Sequence, residues 1–257
     1  MPARVHPAVA DHIITSYALG QPASAIAKDV GVTAQAIRDL LRRRGQPLRK
    51  RTSQLGVRLK AFAPPHSPEA LYWAGFAMIE GSISRDHRLL TLEVYSDHAE
   101  HLQKFNEFLG TPEAKVTRAL RNREGRAYEA FIKTVESPEI CKDLALLGVA
   151  RKGADRPIPP EAKVSPAFWR GVMDAGGQVE MIGPMPCVSF TGYPWACRAL
   201  ASFLNDLRPE ISKATPRGMT HTLVLRDDAA VQAALRLYLG APVALEANAR
   251  VAALISQ

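Results

Sequence analysis

The sequence predicts an α+β fold: two pseudo-symmetric repeats of helix, two strands, helix, two strands and helix (αββαββα), preceded by a small all-α domain. Three observations carry this reading. LYWAGFAMIEGSI (71–83) and AFWRGVMDAGGQV (167–179) align without a gap, Gly75 matching Gly171 and Gly81 matching Gly177 at one common offset. The flanks repeat too. LLTLEVYSDHAEHLQKFNEFLG and PCVSFTGYPWACRALASFLNDL each read strand, turn and amphipathic helix, and YEAFIKTVESPEICKDLALLG answers HTLVLRDDAAVQAALRLYLG. Self-similarity at a fixed spacing marks a duplicated unit. Finally, the chain changes character at about residue 68, after the breaker-rich APPHSP.

The first element is a helix over PAVADHIITSYALG (7–20), which stops at Gly20. A second, roughly PASAIAKDV, starts with Pro22 near its first turn and ends at Gly31, and a third starts at Thr33, an N-cap residue, and runs AQAIRDLLRRR to Gly45. Ile26, Ala27, Val30, Val32, Ile37, Leu40 and Leu41 are the apolar positions that pack the three together. The spacing AIAKDVGVTAQAIRDLL resembles the helix-turn-helix family, with small Ala27 at the helix crossing and Gly31 in the turn. That resemblance implies a third helix lying in the DNA major groove, with Thr33, Gln35, Arg38 and Arg42 as contact candidates. Arg43, Arg44, Arg49, Lys50 and Arg51 continue the positive charge into QPLRKRTSQLGVRLK, which has too few apolar positions for a core and reads as a phosphate-tracking arm. Domain boundaries are expected at 1–46 for the helical domain, 47–68 for a basic linker, 69–154 for the first repeat, 155–166 for a second linker and 167–257 for the second repeat.

Within each repeat the motif helix carries small residues on one face. Ala74, Gly75 and Gly171 let two helix backbones approach closely. Gly81 and Gly177 suit the left-handed position that ends a helix. Tyr72, Trp73, Phe168 and Trp169 are expected in the core.

WAGFAMIEG and WRGVMDAGG resemble the two motif helices of the LAGLIDADG homing endonuclease family, and LLGVARKGADRPIPPEAKVSPAFWRGVMDAGG resembles that family's bridge between halves. The likeness covers roughly residues 69–257. It implies a pseudo-twofold fold with the motif helices side by side and two saddle-shaped sheets along a DNA duplex. It further implies a carboxylate before the final glycine of each motif helix that binds a divalent metal, usually Mg²⁺. The first copy supplies Glu80 there; the second has Gly176. Asp174 lies two residues earlier, about 200° around the helix, and an acid at that place in the family reads as structural. Gln178 and Glu180 follow on the next strand, with neutral Gln178 the nearer substitute. Lys133 is the candidate for a lysine on the sheet floor that assists the chemistry. Lys115, Arg118, Arg121, Arg123, Arg126 and Lys133 lie around the strands of the first repeat, and Arg217 and Arg226 in the second, so the first repeat should hold its half-site more tightly.

One acid of two leaves three outcomes open: slow cutting of both strands, nicking of one, or binding without cleavage. The first two describe a DNA endonuclease or nickase, the last a transcriptional regulator on a degenerate scaffold; an RNA maturase is a weaker third class.

Composition bounds these readings. The net charge is +8. Residues 1–60 hold eleven basic residues against three acidic ones, and the rest of the chain balances at 22 of each sign, so one end alone points to a polyanion. No apolar run reaches the ~18–20 residues of a membrane span, and MPARVHPAVADH lacks the apolar core of a secretion signal. Three cysteines without ligand spacing suit reduced thiols in a cytoplasmic protein. Two repeats in one chain make it pseudo-dimeric already, so a monomer is expected, with double-stranded DNA as the partner.

Overall fold

The computed structural model describes residues 7–18, 21, 23–46, 57–95, 98–123, 126–151, 157–213 and 220–255. Arg49, Lys50, Arg51 and Arg217 lie outside these residues, as do the side chains of Arg123 and Arg126. The chain divides into two compact units, residues 1–52 and 53–257.

The first unit is built of α1 (Pro7–Ala18), α2 (Ala23–Asp29) and α3 (Ala34–Arg43). Their core is Ala10, Ile13, Tyr17, Ile26, Ala27, Ile37, Leu40 and Leu41, with Val30 and Val32 partly buried against it. Thr33 caps α3, its side-chain oxygen accepting the Ala36 amide at 3.1 Å. Gly31 in the turn before it has φ +69°, a backbone that favours glycine.

The second unit repeats one plan twice. The first repeat runs α4 (Pro68–Glu80), β1 (Gly81–Ile83), β2 (Leu89–Tyr95), α5 (Ala99–Phe108), β3 (Thr117–Arg123), β4 (Arg126–Glu136) and α6 (Pro138–Leu146). After a short helix, α7 (Pro160–Lys163), the second runs α8 (Pro166–Gly176), β5 (Gly177–Ile182), β6 (Met185–Gly192), α9 (Pro194–Phe203), β7 (Glu210–Lys213), β8 (His221–Arg226) and α10 (Asp227–Tyr238). The antiparallel sheets have matching orders, β1-β2-β4-β3 and β5-β6-β8-β7. A last helix, α11 (Glu246–Ile255), packs on β5. The sequence reading contains no such element, because EANARVAALI follows α10 after only a short break.

Local chemistry explains the recurrence. Ser67, Ser137 and Ser165 each precede a proline and cap α4, α6 and α8, accepting the amides of Ala70, Ile140 and Phe168 at 3.1–3.3 Å. Helices cover one face of each sheet, where Leu90, Leu92, Val94, Val188, Phe190, Leu223 and Leu225 are buried. The segment that opens the unit belongs to the same core: Phe62 is fully buried, and the Arg58 amide donates to the Leu109 carbonyl at 2.8 Å.

The motif helices α4 and α8 lie along one another at the centre. A Cβ on Gly75 would stand 2.0 Å from the Phe168 carbonyl oxygen, and one on Gly171 2.0 Å from that of Tyr72. Phe168 and Tyr72 each precede the opposite glycine by three residues, so the contact is two-fold symmetric. Tyr72, Trp73, Phe168 and Trp169 are buried, as expected. The terminal glycines differ from expectation. Gly81 (φ −98°, ψ 161°) and Gly177 (φ −126°, ψ 173°) are extended and already begin strands. Space explains them instead: a Cβ would meet the Ala77 oxygen at 2.2 Å at Gly81, and Met173 Cε at 2.5 Å at Gly177.

Candidate nucleic-acid interface and catalytic centre

Strand alternation places the side chains. In β2, Leu90, Leu92 and Val94 face the helices, which leaves Thr91, Glu93 and Tyr95 on the open face. Directly opposed residues in a ladder share a face, so Tyr128, Ile132 and Thr134 of β4 and Arg121 of β3 join them. The Tyr95 and Tyr128 rings lie 5.2 Å apart on this surface. Arg121 donates twice to Glu93, at 2.8 and 2.9 Å. Arg118, opposite Phe131, projects to the other side, where it is exposed and paired with Glu129. In the second sheet the open face holds Gln178, Glu180, Ser189, Thr191, Thr222, Glu210 and Arg226, and Arg226 lies 3.6 Å from Glu210. Of the sequence-predicted cations, Lys115 precedes β3 in a loop and Arg217 lies outside the described residues, and the three whose side chains are described on β3 and β8 (Arg118, Arg121 and Arg226) each have a carboxylate neighbour.

In the first unit, Thr33, Gln35, Arg38, Arg42, Arg43 and Arg44 are all exposed. Gln35 and Arg42 both donate to Asp39 Oδ1, at 3.0 and 2.8 Å, and Arg38 reaches Gln35 Oε1 at 3.4 Å. This polar ladder holds the long side chains of one α3 face in extended order. Such exposed pairs contribute little stability, ~0–1 kcal/mol each.

At the ends of the motif helices, Glu80 closes α4 half-buried, and Gly176 closes α8. Gln178 is exposed on β5. Lys133 is buried, on the helix-covered face in the row that runs from Gly81 through Leu92. Burial pushes its ammonium pKa down. Among the described residues, no three His, Cys, Asp or Glu side chains are grouped so as to hold a metal ion.

Asp174 does a different job. It is fully buried and accepts four hydrogen bonds: from the hydroxyls of Tyr72 (2.8 Å) and Tyr238 (2.7 Å), the Leu245 amide (2.6 Å) and Asn248 Nδ2 (2.8 Å). Burial raises its pKa, and these donors pull the other way. Arg170, one turn earlier, donates to the carbonyls of Leu237 and Val243 at 2.8 Å each and lies over the Tyr72 ring. His101 Nε2 bonds the Tyr72 oxygen. Because the Tyr72 proton goes to Asp174, His101 donates here, and its Nδ1 has no partner. Burial drives its pKa to about 3, which keeps the ring neutral. Asp174 is therefore a tie between α4, α8, α10 and α11. Tyr238 and Asn248 are absent from the sequence reading, since neither stands in a recognisable motif.

No protein-family model matches the chain, and no curated protein matches its sequence. Solved structures do match. The homing endonuclease I-WcaI bound to its DNA recognition sequence superposes with a TM-score of 0.51 at 11% identity, over 74% of this chain and 88% of that one. I-DmoI in complex with DNA and Ca gives 0.44 at 14%, over 74% and 98%. The N-terminal LAGLIDADG domain of DUF199/WhiA gives 0.43 at 16%, over 79% and 98%. The I-WcaI superposition agrees with the duplicated topology: the second unit has the LAGLIDADG homing-endonuclease fold, as its motif helices led us to expect. No helix among the described residues is long and apolar enough to cross a membrane.

Proposed function

We propose that this chain is a site-specific double-stranded DNA-binding protein of the homing-endonuclease type that nicks one strand with the help of Glu80. The observation that carries the reading is the paired helix ends: two motif helices meet at Gly75 and Gly171, and only one ends in an acid. The two open sheet faces receive the duplex, and the exposed side of α3, from Thr33 to Arg44, reads an adjoining major groove as a helix-turn-helix. The two repeats supply both half-sites, so the protein binds as a monomer.

A divalent cation, Mg²⁺ in the resemblance, fits this centre only in part. The chain offers one carboxylate, which suits an ion that takes its remaining ligands from phosphate oxygens and water. When bound, such an ion lowers the pKa of a coordinated water and stabilises charge developing on phosphorus. Glu80 would hold it from the first repeat, and exposed Gln178 offers a neutral oxygen from the second. Lys133 places positive charge beneath the Glu80 end. A second reading, a non-cleaving regulator, is favoured by one observation: the place of the missing acid, beside Gly176, is taken by the buried Phe190 ring.

The test is incubation of the full chain with supercoiled plasmid that carries the DNA flanking its gene, with Mg²⁺ or Mn²⁺. Relaxed circles from wild type, intact plasmid from Glu80→Gln and equal gel shifts from both are expected. Intact plasmid with a retained shift from wild type supports the regulator. Absence of any shift overturns both.

A further inference from the structure

We propose that the second half of the catalytic centre has been rebuilt as hydrophobic core by a correlated exchange of four side chains, so that only the first repeat retains a working position. For its activity arm this rests on the cleavage reading above; for its structural arm it does not.

The equivalence of the two halves follows from strand register. Gly81 lies opposite Leu92, and Leu92 opposite Lys133. Gly177 lies opposite Phe190, and Phe190 opposite Leu223. The row under Glu80 therefore corresponds to the row under Gly176, with Lys133 matched by Leu223. The β5–β6 hairpin is two residues longer than β1–β2 between these partners, so an ungapped alignment of the repeats misses the match.

In the second repeat this row fills the end of the motif helix. A Cβ on Gly176 would come 2.9 Å from Phe190 Cε2, and a Cβ on Gly192 would come 2.8 Å from Cε1 and from Cζ. The fully buried ring is seated between two glycines, and each glycine makes room for one of its edges. Leu223, also fully buried, lies beside it. The Thr191 carbonyl oxygen lies 3.2 Å from the same Gly176 Cβ position, and Ile79 closes the cavity from the facing helix with Cγ2 at 3.5 Å. In the first repeat every element is reversed. Glu80 stands for Gly176, Leu92 for Phe190, Val94 for Gly192 and Lys133 for Leu223, and Ala175 is the counterpart of Ile79. A smaller side chain on the strand accompanies an acid above it and a lysine beside it. Gly81 and Lys133 are two strand spacings apart, roughly 10 Å between Cα atoms, and Lys133 shares the face on which Phe190 meets Gly176.

Loss of the acid alone would leave an empty or watery notch at Gly176. The notch is instead packed, and packed cores reject added volume. Restoration of the acid therefore requires removal of the ring.

The structural test is a thermal double-mutant cycle of Gly176→Ala and Phe190→Leu in the full chain, read by tryptophan fluorescence. All three tryptophans (Trp73, Trp169 and Trp195) lie in the second unit. Gly176→Ala should lower Tm by roughly 3–6 °C in wild type and by less than half as much in the Phe190→Leu background. Equal lowering in both backgrounds overturns the proposal. The activity test compares wild type with the combined Gly176→Glu, Phe190→Leu, Gly192→Val and Leu223→Lys variant on the plasmid above. If wild type nicks, the variant should raise linear product about tenfold over wild type, and a folded variant that only nicks overturns the proposal. If wild type leaves the plasmid intact, the cleavage reading fails and the thermal cycle alone decides.

Discussion

Replacement of Asp174 by alanine tests the division between structural and functional acids most directly. The substitution removes the acceptor for four buried donors at once: two tyrosine hydroxyls, the Leu245 amide and the Asn248 amide group. It also takes away the carboxylate nearest the buried Arg170 guanidinium. A buried donor left unpaired costs about 1–3 kcal/mol. Four would sum to roughly 4–12 kcal/mol, and a water in the vacated space would bring the loss to the lower end, about 4–6 kcal/mol. Against a domain stability of ~5–15 kcal/mol this is severe. Urea unfolding followed by tryptophan fluorescence measures it on the second unit alone. Asp174→Asn keeps the volume and one carbonyl acceptor and should lose less. A loss under about 1 kcal/mol for Asp174→Ala would refute the argument that the four bonds tie α10 and α11 to α8. A metal-ligand role would show differently, as a changed Mg²⁺ dependence of plasmid nicking at full stability.

Two further outcomes follow from the same packing. Gly75→Ala and Gly171→Ala each drive a methyl against a carbonyl oxygen on the facing helix, with no rotamer to relieve it, so each should cost at least ~3 kcal/mol by urea titration; a loss below 1 kcal/mol would show that the helices lie farther apart. His101 has a folded-state pKa of about 3 against an ordinary 6.5, so the stability it supports is complete above pH 6.5 and is lost as pH falls towards 3. The second unit should lose up to about 2 kcal/mol between pH 6.5 and 5, and His101→Gln, which keeps a donor for Tyr72 and does not titrate, should flatten that slope. Asp174 acts in the opposite sense, since its raised pKa gives stability that is present below the ordinary aspartate pKa and lost as pH rises through the folded value, so only the difference between wild type and His101→Gln isolates the histidine.

Much of this fold was legible because duplication writes itself twice. The motif-helix offset located α4 and α8, whereas the Ser-Pro caps of α4, α6 and α8 went unread in the sequence. Gly75 and Gly171 were legible as contact residues because only close approach explains a glycine on the buried face of a helix. Gly81 and Gly177 were misread as left-handed caps: glycine answers both to a positive φ and to a missing volume, and sequence does not separate the two. The register of the hairpins was also hidden. Phe190 aligns with Val94 by simple offset, whereas the ladder matches it to Leu92, and with that shift Lys133 finds its counterpart in Leu223. Asn248 left no signal at all, because its work depends on α11 returning to β5, where its Oδ1 accepts the Val179 amide at 3.0 Å.

The two repeats have thus divided their ionisable groups between different tasks. Where the second repeat carries Arg170 and Asp174, the first has Ala74 and Met78 at the matching positions. Where the first carries Glu80 and Lys133, the second has Gly176 and Leu223. A buried charge is tolerated only where hydrogen bonds or an opposite charge answer it. In the second repeat the answers to Asp174 come from Tyr72, Tyr238, Asn248 and the Leu245 amide, while Arg170 bonds two backbone carbonyls and keeps a buried Nη2 without a partner. Lys133 in the first repeat is buried without any comparable shell of acceptors in the row it occupies, whose other members are Gly81 and Leu92. Its position on the side that also carries Glu80 accords with the proposal of a working first repeat.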